Sequence, residues 1–599
     1  MIKQLAEFFS SLEKSDRVRL AKMQILIVIS SLMEAASVLA VGPFMALISS
    51  PESTFENQLT ISIASFFGIQ TPNSFLIFIG ILILILMSIS SIFSVLTTWR
   101  LAIFGGDIGS KLSNKLFAYY IKQPLTFHIH KNTNELSSKL IMECNRMTNA
   151  IILQLLQLNS KLALILMLIS IILFTVPGIA IAATLFFVGS YALLYKFARL
   201  RLVRNGLVTS IEQQERMKLI NESFGGIKEV MLNGLQDRLS KKYADSTISY
   251  FKAWSSTQVL SQLPKYAMEL AAFGTIILAI IALLINNDND LTKVLPIIAI
   301  FGMASLKLLP AFQQIYFSIS TITSNTNAFL IVRNELIEIK EQEILKRDSY
   351  QNLASEPLSF ESSIEFKNIS FHYDKNTSNV LNDVSFIIKA KESTGIVGPS
   401  GSGKSTAVNI LVGLLPPSMG SLLIDGRDLD EAQVHSWQHK IGFVSQDIFL
   451  IDASIKENIA FGQLEGEVDG KKLNQAIRMA QLEELISSMP QGLETTVGER
   501  GVQLSGGQLQ RIGIARALYH DPEVIIFDEA TSNLDRISEK AIMETIKLLA
   551  ASKTIIMIAH RLSTVQDCDN IFLFSEGKIE DSGTYEQLFK SSTKFVDLS

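Results

Sequence analysis

The chain is predicted to join an all-α transmembrane domain of six helices to an α/β domain built around a phosphate loop. Three observations predict this. Long apolar runs crowd the first 330 residues. From Ile364 onward, short strand-like runs alternate with helical segments. Within that second half, Gly398-Pro399-Ser400-Gly401-Ser402-Gly403-Lys404-Ser405 fits GxxxxGK[ST] and directly follows the apolar strand Ser393-Thr394-Gly395-Ile396-Val397.

Composition sets the outer limits. The 599 residues are enough for several domains, and 48% apolar against 18% charged is too greasy for an ordinary soluble enzyme. A net charge of -4 supplies no electrostatic pull toward nucleic acid. The two cysteines, Cys144 and Cys568, sit in unrelated contexts and read as free thiols in a reducing compartment. The start of the chain is charged through Lys22 and lacks a short apolar stretch with a small-residue cleavage site. No cleaved signal peptide is expected, so the first span serves as the insertion signal.

A bilayer crossing needs roughly 20 apolar residues. Six runs qualify: 23–49, 75–99, 151–176, 178–197, 263–285 and 294–319. Pro177-Gly178 separates the third from the fourth. Residues 50–74 and 286–292 carry no Lys or Arg, whereas Lys14, Arg17, Arg19 and Lys22, then Lys111, Lys115 and Lys122, then Arg199, Arg201 and Arg204 crowd the opposite side. The positive side is cytoplasmic, so both termini and the connections 100–150 and 198–262 are expected there. Residues 1–330 form the membrane domain, 331–363 a polar linker that begins as a helical extension, and 364–599 the α/β domain. Strands are expected at 364–371, 384–388, 393–397, 441–444, 524–527, 554–558 and 571–574, with helices at 406–415 and 509–519.

The chemistry lies in the second half. Glycines let the phosphate loop close so that successive N–H groups point inward, and the following helix adds its positive end. Val524–Asp528 is an apolar strand that delivers two adjacent carboxylates, Asp528 and Glu529. Leu504-Ser505-Gly506-Gly507-Gln508 opens a helical run bearing Arg511 and Arg516, which suits an anion at a helix start. His560 follows a further apolar strand.

These motifs, in this order over 364–599, resemble the ATP-binding cassette of ABC transporters. The resemblance implies ATP and Mg²⁺ as ligands. Lys404 would contact the β- and γ-phosphates, and Thr406 belongs to the same cradle. Ser405, Asp528 and Gln446 would hold Mg²⁺. Glu529 would polarise the attacking water, with Gln446 and His560 beside it. Tyr373 would stack on adenine, although it also reads as a core aromatic of its strand. Ser505, Gly506, Gly507 and Gln508 would clamp the nucleotide held by an opposing cassette, and Asp535 would join the two sites. One membrane half and one cassette per chain imply a pair, and the intact Glu529 and His560 favour a homodimer.

The order of the two halves resembles bacterial ABC exporters in the cytoplasmic (inner) membrane. Thr496-Val497-Gly498-Glu499-Arg500-Gly501, just before the glycine-rich segment, matches exporter cassettes. Residues 123–136 and 221–229 resemble helices that dock on cassettes, with plain solvent-exposed loops as the alternative. Charges inside spans are costly and usually functional; Glu34, Lys161, Lys265, Glu269 and Lys307 are such charges, and Arg100 ends the second span. From two subunits, Arg100, Lys265 and Lys307 would form a cationic belt for a pyrophosphate or other anionic lipid head group. Arg100 and Lys265 also read as side chains that merely reach for the interface. Residues 59–69 read as a short outer amphipathic helix. That helix resembles flippases of lipid-linked oligosaccharides, so the expected activity is ATP-driven flipping of a polyprenyl-pyrophosphate-linked oligosaccharide. Export of another lipid, a peptide or a drug is the nearest rival, and an ATP-gated channel or regulatory subunit a remote one.

Overall fold

The computed structural model describes residues 13–49, 64–69, 71–175, 177–286, 291–349, 358–374, 378–464, 466–498, 501–502, 504–530, 536–559 and 561–598. It divides into two compact units. One holds Met1–Gln123 with Lys131–Arg347, the other Pro124–His130 with Asp348–Ser599.

Among its described residues the first unit consists of helices joined by short turns. Its elements are α1 (Lys14–Leu39), α2 (Val41–Ser49) and α3 (Pro72–Ile121). After α4 (Leu125–His130), which clusters with the second unit, come α5 (Thr133–Ser138), α6 (Cys144–Arg146) and α7 (Leu153–Thr175). The unit finishes with α8 (Pro177–Gly225), α9 (Ile227–Leu232), α10 (Gln236–Asn286), α11 (Leu291–Ser324) and α12 (Thr326–Ser349). The α1/α2 break has a local cause. Pro43 has no N–H to donate to the residue four back, which is Leu39, the last of α1. α3 starts where Thr71 accepts from the Ser74 amide and Pro72 takes the first helical turn.

Apart from the turn at Ala40, the described residues of all six apolar runs lie on helices. Four stretches are long and apolar enough to cross a membrane among the described residues: Lys14–Ser49, Pro72–Ile121, Thr133–Leu173 and Ile298–Ser324. The runs 178–197 and 263–285 lie inside α8 and α10. The helices do not stop where the apolar runs stop. α3 has 50 residues, about 75 Å at ~1.5 Å per residue, against a hydrocarbon core of about 30 Å. The basic stretches 100–121 and 198–225 are therefore continuations of spanning helices rather than loops. Hydropathy sees the change of solvent, but the backbone hydrogen-bond ladder carries on across it.

Polar ties hold these extensions together. The Lys139 ammonium lies 2.7 Å from Glu135 and 2.7 Å from Glu335, and the Tyr120 hydroxyl donates to Glu335 at 2.9 Å. Arg146 is clamped more fully. It donates to Asn325 Oδ1 at 2.9 Å, to both oxygens of the fully buried Glu143 at 3.2 Å, to Ser210 Oγ, and to the Gly206 carbonyl at 3.4 Å. Two stretches of wider π-type turn, Lys139–Glu143 and Met147–Ile152, flank α6. Of residues 59–69, the part 59–63 lies outside the described residues. Ala64 and Ile69 pack with Leu47 and Phe75.

In the second unit, β1 (Ser363–Phe371), β2 (Leu381–Lys389) and β3 (Ser393–Val397) lead into α13 (Lys404–Leu411). Next come β4 (Met419–Ile424), β5 (Arg427–Asp428), α14 (Val434–Gln438) and β6 (Ile441–Val444). Then follow α15 (Ile455–Ile459), α16 (Gly470–Met479), α17 (Glu483–Ser488), α18 (Gly506–Leu518), β7 (Val524–Asp528), α19 (Arg536–Ala550), β8 (Thr554–Ala559), β9 (Asn570–Ser575) and β10 (Lys578–Gly583). Two short helices, α20 (Tyr585–Ser591) and α21 (Thr593–Asp597), end the chain.

One sheet is antiparallel in the order β2-β1-β4-β5. The other runs β10-β9-β3-β8-β7-β6, with β9, β3, β8, β7 and β6 parallel. β3 and β8 read as unbroken buried runs, as strands covered on both faces must. Strands β4, β5 and β10 were not expected. β10 alternates half-buried with exposed residues and so lacks a continuous apolar signal. Trp437 is fully buried against Phe360, and its indole donates to the Leu411 carbonyl at 2.7 Å. Leu125 of α4 packs against the same core cluster, and His130 lies 3.9 Å from Asp374.

Candidate functional site

The parallel sheet places the phosphate loop, Gln446, Asp528 and Glu529 at the carboxyl ends of its strands, the edge where open α/β sheets bind ligands. β3 runs straight into residues 398–403, β7 ends at Asp528, and Gln446 follows β6 by two residues. Gly403 caps α13 with φ 99°, a conformation side chains disfavour. A Cβ there would sit 2.7 Å from Leu381 Cδ2 and 3.1 Å from the Val380 carbonyl.

Lys404 is buried and donates to the carbonyls of Gly398 and Pro399 at 2.7 and 2.9 Å, so the loop holds its own lysine folded in. Burial pulls the ammonium below its ordinary value, while Glu529 and Asp528 pull it back up. The Ser402 hydroxyl is buried with no protein partner. Such a group fits a phosphate oxygen, because a buried hydroxyl left unsatisfied costs about 1–3 kcal/mol. Thr406 is also buried, and its hydroxyl pairs with the Tyr373 hydroxyl at 3.2 Å. Tyr373 packs edge-on against Phe371 at 5.0 Å, so it is partly a core aromatic as well as a rim residue.

The structure brings Gln446 and Glu529 together. The amide donates to the Glu529 carboxylate at 2.8 Å. Glu529 adopts φ 49°, and its amide donates to the Ile558 carbonyl at 3.0 Å, tying the end of β7 to β8. Ser505 caps α18: it accepts from the Gln508 amide, and Gln508 Oε1 accepts from Ser505 N at 2.9 Å. Ser505 and Gly506 are exposed. His560, residues 531–535 with Asp535, and Glu499 and Arg500 lie outside the described residues.

The chain matches two family models: "ABC transporter transmembrane region" over residues 25–306 and "ABC transporter" over 381–532. It is 30% identical to a Bacillus subtilis protein provisionally named multidrug export ATP-binding/permease protein YgaD, over 81% of this chain and 82% of that one. The chain belongs to the ABC transporter family. Another relative, an ATP-dependent lipid A-core flippase of Burkholderia thailandensis, is 33% identical over 63% of this chain and 62% of its own length. Against two other curated relatives the chain spans 39% and 59% of their length. Among solved structures, a bacterial Atm1-family ABC exporter with ATP bound matches at TM-score 0.73 and 25% identity, over 97% of both chains. The helical membrane domain followed by a sheet-containing cassette is the ABC exporter fold, and an ABC ATPase domain implies ATP binding.

Within the cassette, the sequence places Arg516 on the helix behind the glycine-rich segment without naming its partners. Its guanidinium donates to the Asn458 carbonyl at 2.7 Å, the Asn458 side chain at 2.9 Å and the Phe449 carbonyl at 2.6 Å, and it stacks on Phe461. It fastens α18, the helix that carries the glycine-rich segment, to the segments around residues 449 and 458. Arg516→Ala is expected to cost about 3 kcal/mol, since charged hydrogen bonds contribute about 1.5–3 kcal/mol each and carbonyls are left unpaired. A fall in melting midpoint of the full chain in detergent checks it.

In the membrane domain the three cations of the expected belt have different partners. Arg100 lies over Trp99 and is exposed. Lys265 lines a pocket of about 390 Å³ with Ser261, Gln313, Gln314 and Tyr316. Lys307 lies 4.0 Å from Glu34. A polar network also went unread in the sequence. Gln314 donates to Gln157 at 2.8 Å, and Ser318 donates to Gln154 at 2.9 Å. The signal was present as glutamines inside apolar runs, where each amide needs a partner.

Proposed function

We propose that the chain is one half of a homodimeric ABC exporter. It would use ATP binding and hydrolysis to flip an amphipathic lipid, preferentially a polyprenyl-pyrophosphate-linked oligosaccharide, from the inner to the outer leaflet of a bacterial inner membrane. The observation that carries the ATP-driven part is the 2.8 Å contact between Gln446 and Glu529 beside the phosphate loop. An amide that donates to the carboxylate fixes its direction, which suits a group that would hold and polarise a water.

Ser405, Gln446 and Asp528 supply hydroxyl, amide and carboxylate oxygens, the donor set Mg²⁺ prefers. When bound, Mg²⁺ neutralises charge on the phosphates. Lys404 would turn from the Gly398 and Pro399 carbonyls toward phosphate oxygens, and Ser402 would gain the partner it lacks. Ser505 with the amides of Gly506 and Gly507 would face the nucleotide of the second copy, and Asp535 and His560 would join them. Tyr373 would meet the adenine at the rim. Leu125 of α4, packed on the cassette core, gives the cassette a direct grip on the segment that follows α3.

The lipid part of the proposal is supported by the lipid A-core flippase relative and by cations inside apolar spans. Arg100, Lys265 and Lys307 are the proposed headgroup contacts. The test is reconstitution in liposomes with a panel of labelled lipid-linked sugars. Lys307→Ala is expected to cut transport at least tenfold, about 1.4 kcal/mol, while basal ATPase falls much less. Equal loss of both activities would assign Lys307 to structure instead.

A further inference from the structure

We propose that Glu34 is a specificity-determining residue, the resident counter-ion that an anionic lipid headgroup must displace from Lys307. The inference rests on the cargo-binding reading of Lys307 above and deepens it.

Three helices meet at this point. Glu34 lies on α1, Ser94 on α3 and Lys307 on α11. The Ser94 hydroxyl donates to one carboxylate oxygen of Glu34, and Lys307 Nζ lies 4.0 Å from the other. That separation exceeds the usual hydrogen-bond range of about 2.7–3.2 Å. The pair is thus held by charge alone, and Glu34 satisfies none of the three ammonium N–H groups closely.

The two partners also differ in burial. The Glu34 side chain is 8% exposed and anchored by Ser94, whereas Lys307 is 37% exposed on a long flexible stem. Lysine is therefore the arm that can move, and the carboxylate is the fixed post. A phosphate or pyrophosphate offers several oxygens at full negative charge, which can take all three N–H groups. Such a headgroup gains the lysine only by outcompeting Glu34, and it must do so against repulsion from that same carboxylate. Glu34 hence weakens capture and aids release. A lysine without it would hold any anion it met, and a slow departure limits turnover. An uncharged lipid gains nothing from Lys307 and pays nothing to Glu34.

The test uses the full chain in phosphatidylcholine liposomes. ATPase activity is measured against the mole fraction of a polyprenyl pyrophosphate, of phosphatidic acid, and of the uncharged polyprenol. Glu34→Gln keeps the shape and an acceptor for Ser94. It is expected to lower the half-saturating fraction of a charged lipid about tenfold and to lower the maximal stimulated rate, with the polyprenol response unmoved. Adding Lys307→Gln to Glu34→Gln should erase the gain. An unchanged half-saturation, or the same shift with polyprenol, overturns the assignment, as does a lowered melting midpoint with no lipid-dependent change. A wild type stimulated by phosphatidic acid and not by the pyrophosphate sinks the oligosaccharide-carrier reading, and the phosphatidic acid arm then decides Glu34. Indifference of the wild type to both charged lipids overturns both.

Discussion

Glu529→Gln is expected to bind ATP as the parent does and to hydrolyse it about a thousandfold more slowly, the loss typical of removing a positioned general base. The substitution is nearly isosteric, so the backbone bond from residue 529 to Ile558 and the positive φ are preserved. What changes is charge. The Gln446 amide now faces another amide, and position 529 no longer offers a carboxylate to polarise water. Lys404 also loses one of the two carboxylates that raise its proton affinity. Its ammonium should be slightly easier to deprotonate, an effect in the direction opposite to tighter phosphate binding. Nucleotide affinity from fluorescence titration and phosphate release measured on the same sample separate the two effects. Turnover within a factor of two of the parent would remove Glu529 from the site.

Gly206→Ala is expected to disable the membrane domain, though a local rule says the reverse. In an exposed helix, Gly to Ala stabilises by about 1 kcal/mol. Gly206, however, lies where α8 crosses the end of α11. A Cβ there would overlap the Ser324 carbonyl oxygen, with the carbonyl carbon at 2.7 Å. The obstacle is backbone and cannot rotate away, so the cost should reach about 3 kcal/mol, the upper end of overpacking. The shift would also pull on Arg146, which bonds the Gly206 carbonyl and Asn325 together. Gly189→Ala, on the same helix with nothing within 4 Å of the added carbon, is the matched control and should melt at or above the parent. Equal melting of both variants in detergent would refute the close crossing.

The nucleotide side was legible early because its residues are bound by local chemistry. A lysine after two tight glycine turns, a serine that caps its own helix through Gln508, and a carboxylate at the end of an apolar strand are each specified within a few residues. The strands missed were those without a continuous apolar run, such as β10. The membrane side was legible in its spans and not in its pairs. Nothing in the local sequence around Glu34 names Lys307, 273 positions later (307 − 34). Nor does the run around Arg146 announce Asn325, Ser210 and Gly206.

By itself, then, the order of residues determined the two-part architecture, the crossing helices and the kind of ligand the cassette takes, because hydropathy period and glycine-lysine turns act over short distances. The folded chain alone decided that the basic connections continue as helix, that Gln446 reaches Glu529, and that a lysine inside a span has a carboxylate for a neighbour. Those outcomes depend on which distant segments pack together, and packing is selected by the summed burial and pairing of the whole unit rather than by any one stretch of it.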